Sequence, residues 1–164
     1  MKHAKFVSFT EIGAQTAAKA ARLLPDFLCE RYARTVDLSL SNTSLPRFAQ
    51  QAMVDCDLIV FVGAAGIAVR AAAPYLAGKA YDPAVVVIDE QGRFVIPLLS
   101  GHLGGANRLA RAIAGITGGK PVITTATDVR KLMAFDELAA RFRYRLLNPE
   151  ALVRIATAML DGEA

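Results

Sequence analysis

The chain has 164 residues, of which 54% are apolar and 21% charged, a composition that excludes a disordered chain and fits one domain. A domain of this length buries roughly 68–70% of the surface its unfolded chain exposes. Nineteen basic against fifteen acidic residues leave a net charge of +4, a bias that suits an anionic ligand but lacks the aromatic platforms of a single-strand nucleic-acid binder.

Taken in chain order, Phe6 to Phe9 reads as a short strand running into Thr10-Glu11-Ile12-Gly13 and an alanine-rich helix that ends near Leu24-Pro25. Thr10 has the acceptor a helix N-cap needs, and Gly13 lets another backbone approach closely. Val36 to Leu40 reads as a second strand, residues 41–44 as a turn, and a short helix follows Pro46. Leu58 to Val62 is continuously apolar, the pattern of a strand buried on both faces. Gly63-Ala64-Ala65-Gly66 follows, then a helix to about Leu76. Ala84 to Ile88 repeats the apolar run and ends in Asp89-Glu90, with Gln91-Gly92 as a turn and Phe94 to Ile96 as a short return strand. Ser100-Gly101-His102-Leu103-Gly104-Gly105 leads into a helix with Leu109, Ile113 and Ile116 on one stripe. Lys120-Pro121 opens the last strand, Val122 to Thr125, and two helical segments close the chain.

Alternating strands and helices with short turns predict a three-layer, doubly wound α/β fold with a mostly parallel sheet and helices on both faces. Residues 1–164 are expected to form a single α/β domain. Chain order does not reveal strand order. Cys29 and Cys56 are far apart in sequence, no stretch has ~18 uninterrupted apolar residues, and no signal-like segment precedes the first strand. The expected setting is therefore cytoplasmic, with both thiols reduced, no membrane and no nucleic acid. Two isolated histidines and two distant cysteines predict no protein-bound metal.

Candidate chemistry gathers at the turns. Small residues in Gly63-Ala64-Ala65-Gly66 admit a ligand to helix N-terminal amides, with Arg70 within the next turns as a fixed charge; tight strand–helix packing explains the same residues. Asp89 and Glu90 end a buried strand and point to opposite faces, so at most one is an acid or base, and Asp89 equally suits a turn or cap. Ser100 to Asn107 is the densest motif, placing His102 among three glycines at a helix start. A helix N-terminus favours neutral imidazole, suited to proton transfer, although His102 also suits a structural hydrogen bond. Ser100 lacks a nucleophile-elbow pattern, and Asn107 fits a ligand contact or a loop brace. Thr124, Thr125 and Asp128 are further candidates, against simple capping by Thr127 or Asp128. The late basic residues Arg130, Lys131, Arg141, Arg143 and Arg145 form a solvated face or an anion contact. The reading taken forward is that these turns converge at one end of one sheet.

VFVGAAGIAVR at 60–70, Lys79, DPAVVVIDEQGRFVIPLLSGHLGGANRLA at 82–110 and PVITTATD at 121–128, with the looser FTEIGAQTAAKAA at 9–21, resemble the N-terminal region of the cobalamin biosynthesis protein CbiG family, cobalt-precorrin-5A hydrolase. The resemblance implies hydrolysis of the δ-lactone of cobalt-precorrin-5A, release of acetaldehyde and formation of cobalt-precorrin-5B, with cobalt only as part of the substrate and no cofactor. The candidate catalytic residues within these motifs are His102, Glu90 and Asp89, with His102 or Glu90 expected to activate water while loop N–H groups hold the oxyanion. By the same resemblance, Gly63, Gly66, Arg70, Ser100, Gly104, Gly105, Asn107, Arg108, Thr124, Thr125 and Asp128 bind substrate. Full-length members continue into a C-terminal domain, so the expected partners are that domain or a separately encoded equivalent. A tetrapyrrole-binding or assembly role that needs such a domain for activity is the alternative. The alanine-rich helices also permit a homodimer.

Overall fold

A computed structural model describes residues 1–33, 44–78, 81–132, 135–142, 144–145, 147–148 and 150–162. The strand expected over 36–40, turn residues 41–43, Lys79 and Arg143 lie outside the described residues. Contacts divide the chain into two compact units, Met1–Val122 and Ile123–Ala164.

In the first unit the chain runs β1 (Lys2–Ser8), α1 (Glu11–Arg22), β2 (Phe27–Ala33), α2 (Leu45–Asp55), β3 (Leu58–Val62) and α3 (Ala65–Ala72). A 3-10 turn (Ala73–Tyr75), β4 (Ala84–Ile88), β5 (Phe94–Leu99), α4 (Ala106–Thr117) and β6 (Lys120–Pro121) follow. The six strands lie in the order β2-β1-β3-β4-β5-β6. All neighbours pair parallel except β4 and β5, which form an antiparallel hairpin. This is the expected doubly wound α/β architecture, with an added edge.

Strand periodicity of two explains how one sheet supports two cores. Leu58, Val60 and Val62 of β3 and Ala84, Val86 and Ile88 of β4 face α1 and α4, where Ala17, Ala20, Leu109 and Ile113 cover them. Ile59, Phe61, Val85 and Val87 face the other way, against Phe48, Ala49, Ala52, Ala68 and Ala72 of α2 and α3. The alanines let the helices sit close to bulky β-branched strand residues, and both β3 and β4 are buried along their full length. Thr10 caps α1 as expected, its hydroxyl accepting from the Gly13 amide at 3.0 Å. Ser44 caps α2, with a proline in the first turn, where its missing N–H costs nothing.

Two elements differ from expectation. β2 occupies Phe27–Ala33, a stretch whose charged Glu30 and Arg31 hide the strand signal because an edge strand leaves one side to solvent. The last strand is Lys120–Pro121 and not Val122 to Thr125. Its ladder runs from Lys120 N–H donating to Arg93 through Val122 N–H donating to Val95. The next rung would need an N–H from position 97, which is Pro97, so pairing stops there.

One charged side chain penetrates the α2 side of the sheet. Lys5 of β1 is 8% exposed and donates to both carboxylate oxygens of Asp55 at 3.0 and 2.7 Å. Burial alone would lower the Lys5 pKa, but the Asp55 contact overrides it and raises it. Burial opposes ionisation of Asp55 too, yet the Lys5 and Cys56 hydrogen bonds hold its pKa below the ordinary carboxylate value. Cys56, desolvated and donating to Asp55 at 3.2 Å, is pushed up to about 12 and is a poor nucleophile. A carboxylate depressed in the folded state stabilises the fold above its ordinary pKa and loses that contribution as pH falls through the folded value. Asp55→Asn is therefore expected to cost about 1–2 kcal/mol at pH 7. It should also flatten the fall of the urea midpoint from roughly pH 5 downward; an unchanged acid limb would remove the pair from the stability of this fold.

The second unit contains α5 (Ala126–Val129), α6 (Phe135–Phe142) and α7 (Ala151–Asp161), one helix more than expected. The Arg130 guanidinium donates to the Leu160 carbonyl, tying the end of α5 to α7. Phe142 and Tyr144 stack with ring centroids 5.7 Å apart.

Candidate functional site

The strand order creates a topological switch between β1 and β3. From β1 the chain crosses to β2 on one side, whereas from β3 it continues to β4 on the other. In open α/β sheets ligands bind outside the carboxyl ends of the strands at such a point. Here that crevice is about 350 Å³ and is lined by Phe9 and Thr10 after β1, Gly63, Ala64 and Ile67 after β3, and Asp89 and Glu90 after β4. Phe9 and Ile67 also wall a neighbouring groove of about 370 Å³, which is apolar except for Arg70 and includes Leu45 and Tyr75. A larger, open furrow of about 990 Å³ runs along α7 and contains none of the motif residues.

The Gly63–Gly66 turn is built for approach. A Cβ at Gly63 would lie 2.9 Å from the Phe9 ring, so glycine lets the aromatic side chain lie over the turn. A Cβ at Gly66 would lie 3.5 Å from both terminal nitrogens of Arg70, which folds back over the first turn of α3. The Gly63 amide donates to Ile88 and that of Ile67 to Ala64. Among the described residues the Ala65 and Gly66 amides have no protein acceptor, so the N-terminus of α3 and Arg70 present positive potential to the crevice.

The two acids divide their labour. Asp89 accepts from the Phe94 amide at 2.6 Å and the Gln91 amide at 3.2 Å, which commits its carboxylate to the β4–β5 turn. Glu90 accepts from the Thr10 hydroxyl at 2.8 Å, and its main-chain carbonyl accepts from Thr16 at 2.7 Å. Both acids line the crevice, but the Asp89 carboxylate is spent on the turn, whereas the Glu90 carboxylate meets the Thr10 hydroxyl.

The Ser100–Asn107 motif lies elsewhere. β5 runs antiparallel to β4, with Leu99 opposite Val85 near the start of β4 and Val95 opposite Ile88 at its end. The motif therefore falls at the amino ends of the parallel strands, separated from Glu90 by the five-residue β4, roughly 15 Å of strand. The expected convergence is corrected: the Gly63 and Asp89-Glu90 turns share an end, and the His102 loop occupies the other. The hairpin reversal is the physical reason.

Three of the loop's amides are spent on its own carbonyls. Gly105, Ala106 and Asn107 amides donate to the carbonyls of His102, Ser100 and Gly101 at 2.9, 3.1 and 3.0 Å. Those three N–H groups are therefore not open to an oxyanion. Ser100, at φ +55°, donates its hydroxyl to the Asp82 carbonyl at 2.9 Å. Asn107 is buried, with its carboxamide oxygen 2.9 Å from where a Gly101 Cβ would stand. Gly104 abuts Ser100, and an added Cβ would come within 2.5 Å of the Ser100 Cβ. Gly105 caps α4 at φ +79°, with the Arg108 guanidinium folded over it. His102 is half-buried in this brace. Gly104→Ala is expected to cost about 1–3 kcal/mol through overpacking, read as a lower urea midpoint; an unshifted midpoint would show that the loop can relax.

Thr124, Thr125 and Asp128 lie in the second unit. Thr125, and not Thr127 or Asp128, holds the N-cap position of α5, and its hydroxyl donates to Asp128 at 2.6 Å. The crevice-lining residues that sequence reasoning did not assign to a site include Phe9, Thr10 and Ile67. Their signal is position, since each sits just past a strand end, and it becomes readable only when β1 and β3 are known to be neighbours.

Both cysteines are free thiols. Among the described residues no group of three or more His, Cys, Asp or Glu is placed to hold a metal ion, and no helix is long and apolar enough to cross a membrane.

Fold and crevice together define a doubly wound α/β domain with an open crevice at its switch point. The family model described as Cobalamin synthesis G N-terminal matches residues 47–128, and the chain belongs to that family. A cobalt-precorrin-5A hydrolase of Salmonella typhimurium is 51% identical over 112 residues, covering 68% of this chain and 32% of the relative. One from Priestia megaterium is 41% identical over 105 residues, covering 64% and 28%. The crystal structure of a cobalamin biosynthesis protein G homolog from Sulfolobus solfataricus matches with a TM-score of 0.60 and 28% identity, covering 97% of this chain and 46% of that one. The chain spans about a third of the length of these two curated relatives.

Proposed function

We propose that this chain provides the lactone-opening crevice of a cobalt-precorrin-5A hydrolase. The observation that carries the reading is a coincidence of position. Gly63, Gly66, Asp89 and Glu90 belong to the family's matched region, and the fold independently makes their turns into the walls of its switch-point crevice.

In the proposed reaction Glu90 takes a proton from water as its oxygen attacks the lactone carbonyl carbon. Charge developing on the carbonyl oxygen faces the Ala65 and Gly66 amides, while Arg70 receives a peripheral carboxylate of the substrate. Ring opening leaves a carboxylate and a free secondary alcohol. Deprotonation of that alcohol breaks its bond to the macrocycle, acetaldehyde departs, and the electron pair left on the ring carbon takes up a proton. Water enters, acetaldehyde leaves and no redox partner is required. The apolar groove beside Arg70 suits the flat body of such a substrate.

A tetrapyrrole-binding or assembly module is the second reading, favoured by the apolar groove beside Arg70, which offers contact surface without a reacting group. The test is anaerobic incubation of the 164-residue chain with cobalt-precorrin-5A, following acetaldehyde and the corrinoid absorption spectrum. Release above a protein-free control supports the hydrolase. A spectral shift without release moves the reading to the module, and neither signal removes both.

A further inference from the structure

We infer that Thr10 and Thr16 of the first helix segment are positioning residues that hold Glu90 in the crevice, an inference that rests on the proposed hydrolase reading. The hydrogen-bond pattern is a double tether. The Thr10 hydroxyl reaches a Glu90 carboxylate oxygen at 2.8 Å, fixing the end of the side chain. The Thr16 hydroxyl reaches the Glu90 carbonyl at 2.7 Å, fixing its backbone. Glu90 is the residue that follows Asp89, whose carboxylate is locked into the hairpin turn, so four hydrogen bonds define where this segment lies. Thr10 has a second task, since its oxygen caps α1 by accepting from Gly13. A hydroxyl does both at once because it donates one proton and accepts through its lone pairs. A valine in either place does neither.

The capping and tethering roles separate by substitution. Aspartate is a good N-cap but has no proton to donate, and its charge repels Glu90. Thr10→Asp is expected to keep the thermal midpoint close to that of the parent while lowering kcat for acetaldehyde release at least tenfold. Thr10→Ser, which retains both bonds, should stay within about twofold. Thr16→Val leaves the cap untouched and should lower kcat severalfold with KM little changed, which a merely structural threonine would not do. In 13C-labelled protein, the Glu90 carboxyl resonance should move in Thr10→Asp and stay in place in Thr10→Ser. Parent-like kcat in Thr10→Asp and Thr16→Val, or an unmoved Glu90 resonance in Thr10→Asp, overturns the tether. If the resonance moves but the parent chain releases no acetaldehyde, the tether stands and the hydrolase reading falls.

Discussion

Glu90→Gln is expected to lower acetaldehyde release from cobalt-precorrin-5A by at least about 100-fold, the lower end of what a positioned general base contributes. His102→Ala is expected to lower it less than about tenfold. The ordering follows from topology. Glu90 lines a crevice with the Gly63-Ala64 turn, next to the free amides at the start of α3 and the groove that holds Arg70, whereas His102 belongs to a loop at the opposite end of β4, three of whose amides bond to its own carbonyls. Glutamine preserves size and can still accept from Thr10, so loss of turnover with an unchanged thermal midpoint would isolate the proton-accepting role. The reverse order, with His102→Ala the more damaging, would move the reaction centre to the Ser100–Asn107 end of the sheet.

The second large effect is on stability. Phe61→Ala is expected to cost about 3–5 kcal/mol, the range for truncating a fully buried phenylalanine. Phe61 is 1% exposed at the centre of the sheet. It meets Phe48 of α2 edge-on with ring centroids 6.1 Å apart, and Phe48 meets Tyr32 at 4.8 Å. Removing Phe61 opens a cavity that neither β3, paired on both sides, nor α2 can close by shifting alone. Chemical denaturation of the two proteins checks it. A loss below about 1 kcal/mol would mean that the α2 face repacks around the gap.

Local features were legible in residues. The runs Leu58 to Val62 and Ala84 to Ile88 could only be buried strands, and the Thr10 cap and the Leu109–Ile113 stripe follow from helical geometry alone. Site residues were legible as types. Glycine, arginine and acid beside strand ends marked Gly63, Gly66, Arg70 and Glu90, and the structure brings these together around one crevice and its adjoining groove. The glycines of the Ser100–Asn107 motif suit an unusual backbone path or a close approach, and the structure shows both, with close packing at Gly101 and Gly104 and a left-handed cap at Gly105. The strand at Phe27–Ala33 was hidden by its charges, and the last strand was overextended because a proline on its neighbour ends the ladder.

By itself, then, the sequence determined the α/β class, the buried central strands, the Thr10 cap and the family to which the chain belongs. Periodicity, capping chemistry and a long uninterrupted motif are local properties that the chain carries wherever its strands lie. Only the tertiary structure decided that β1 and β3 are neighbours, that Thr10 reaches Glu90 across 80 positions, and that the His102 loop faces away from both. Those facts depend on pairings between segments distant in sequence. The strand order and the direction of β5 set them, and no single segment encodes either.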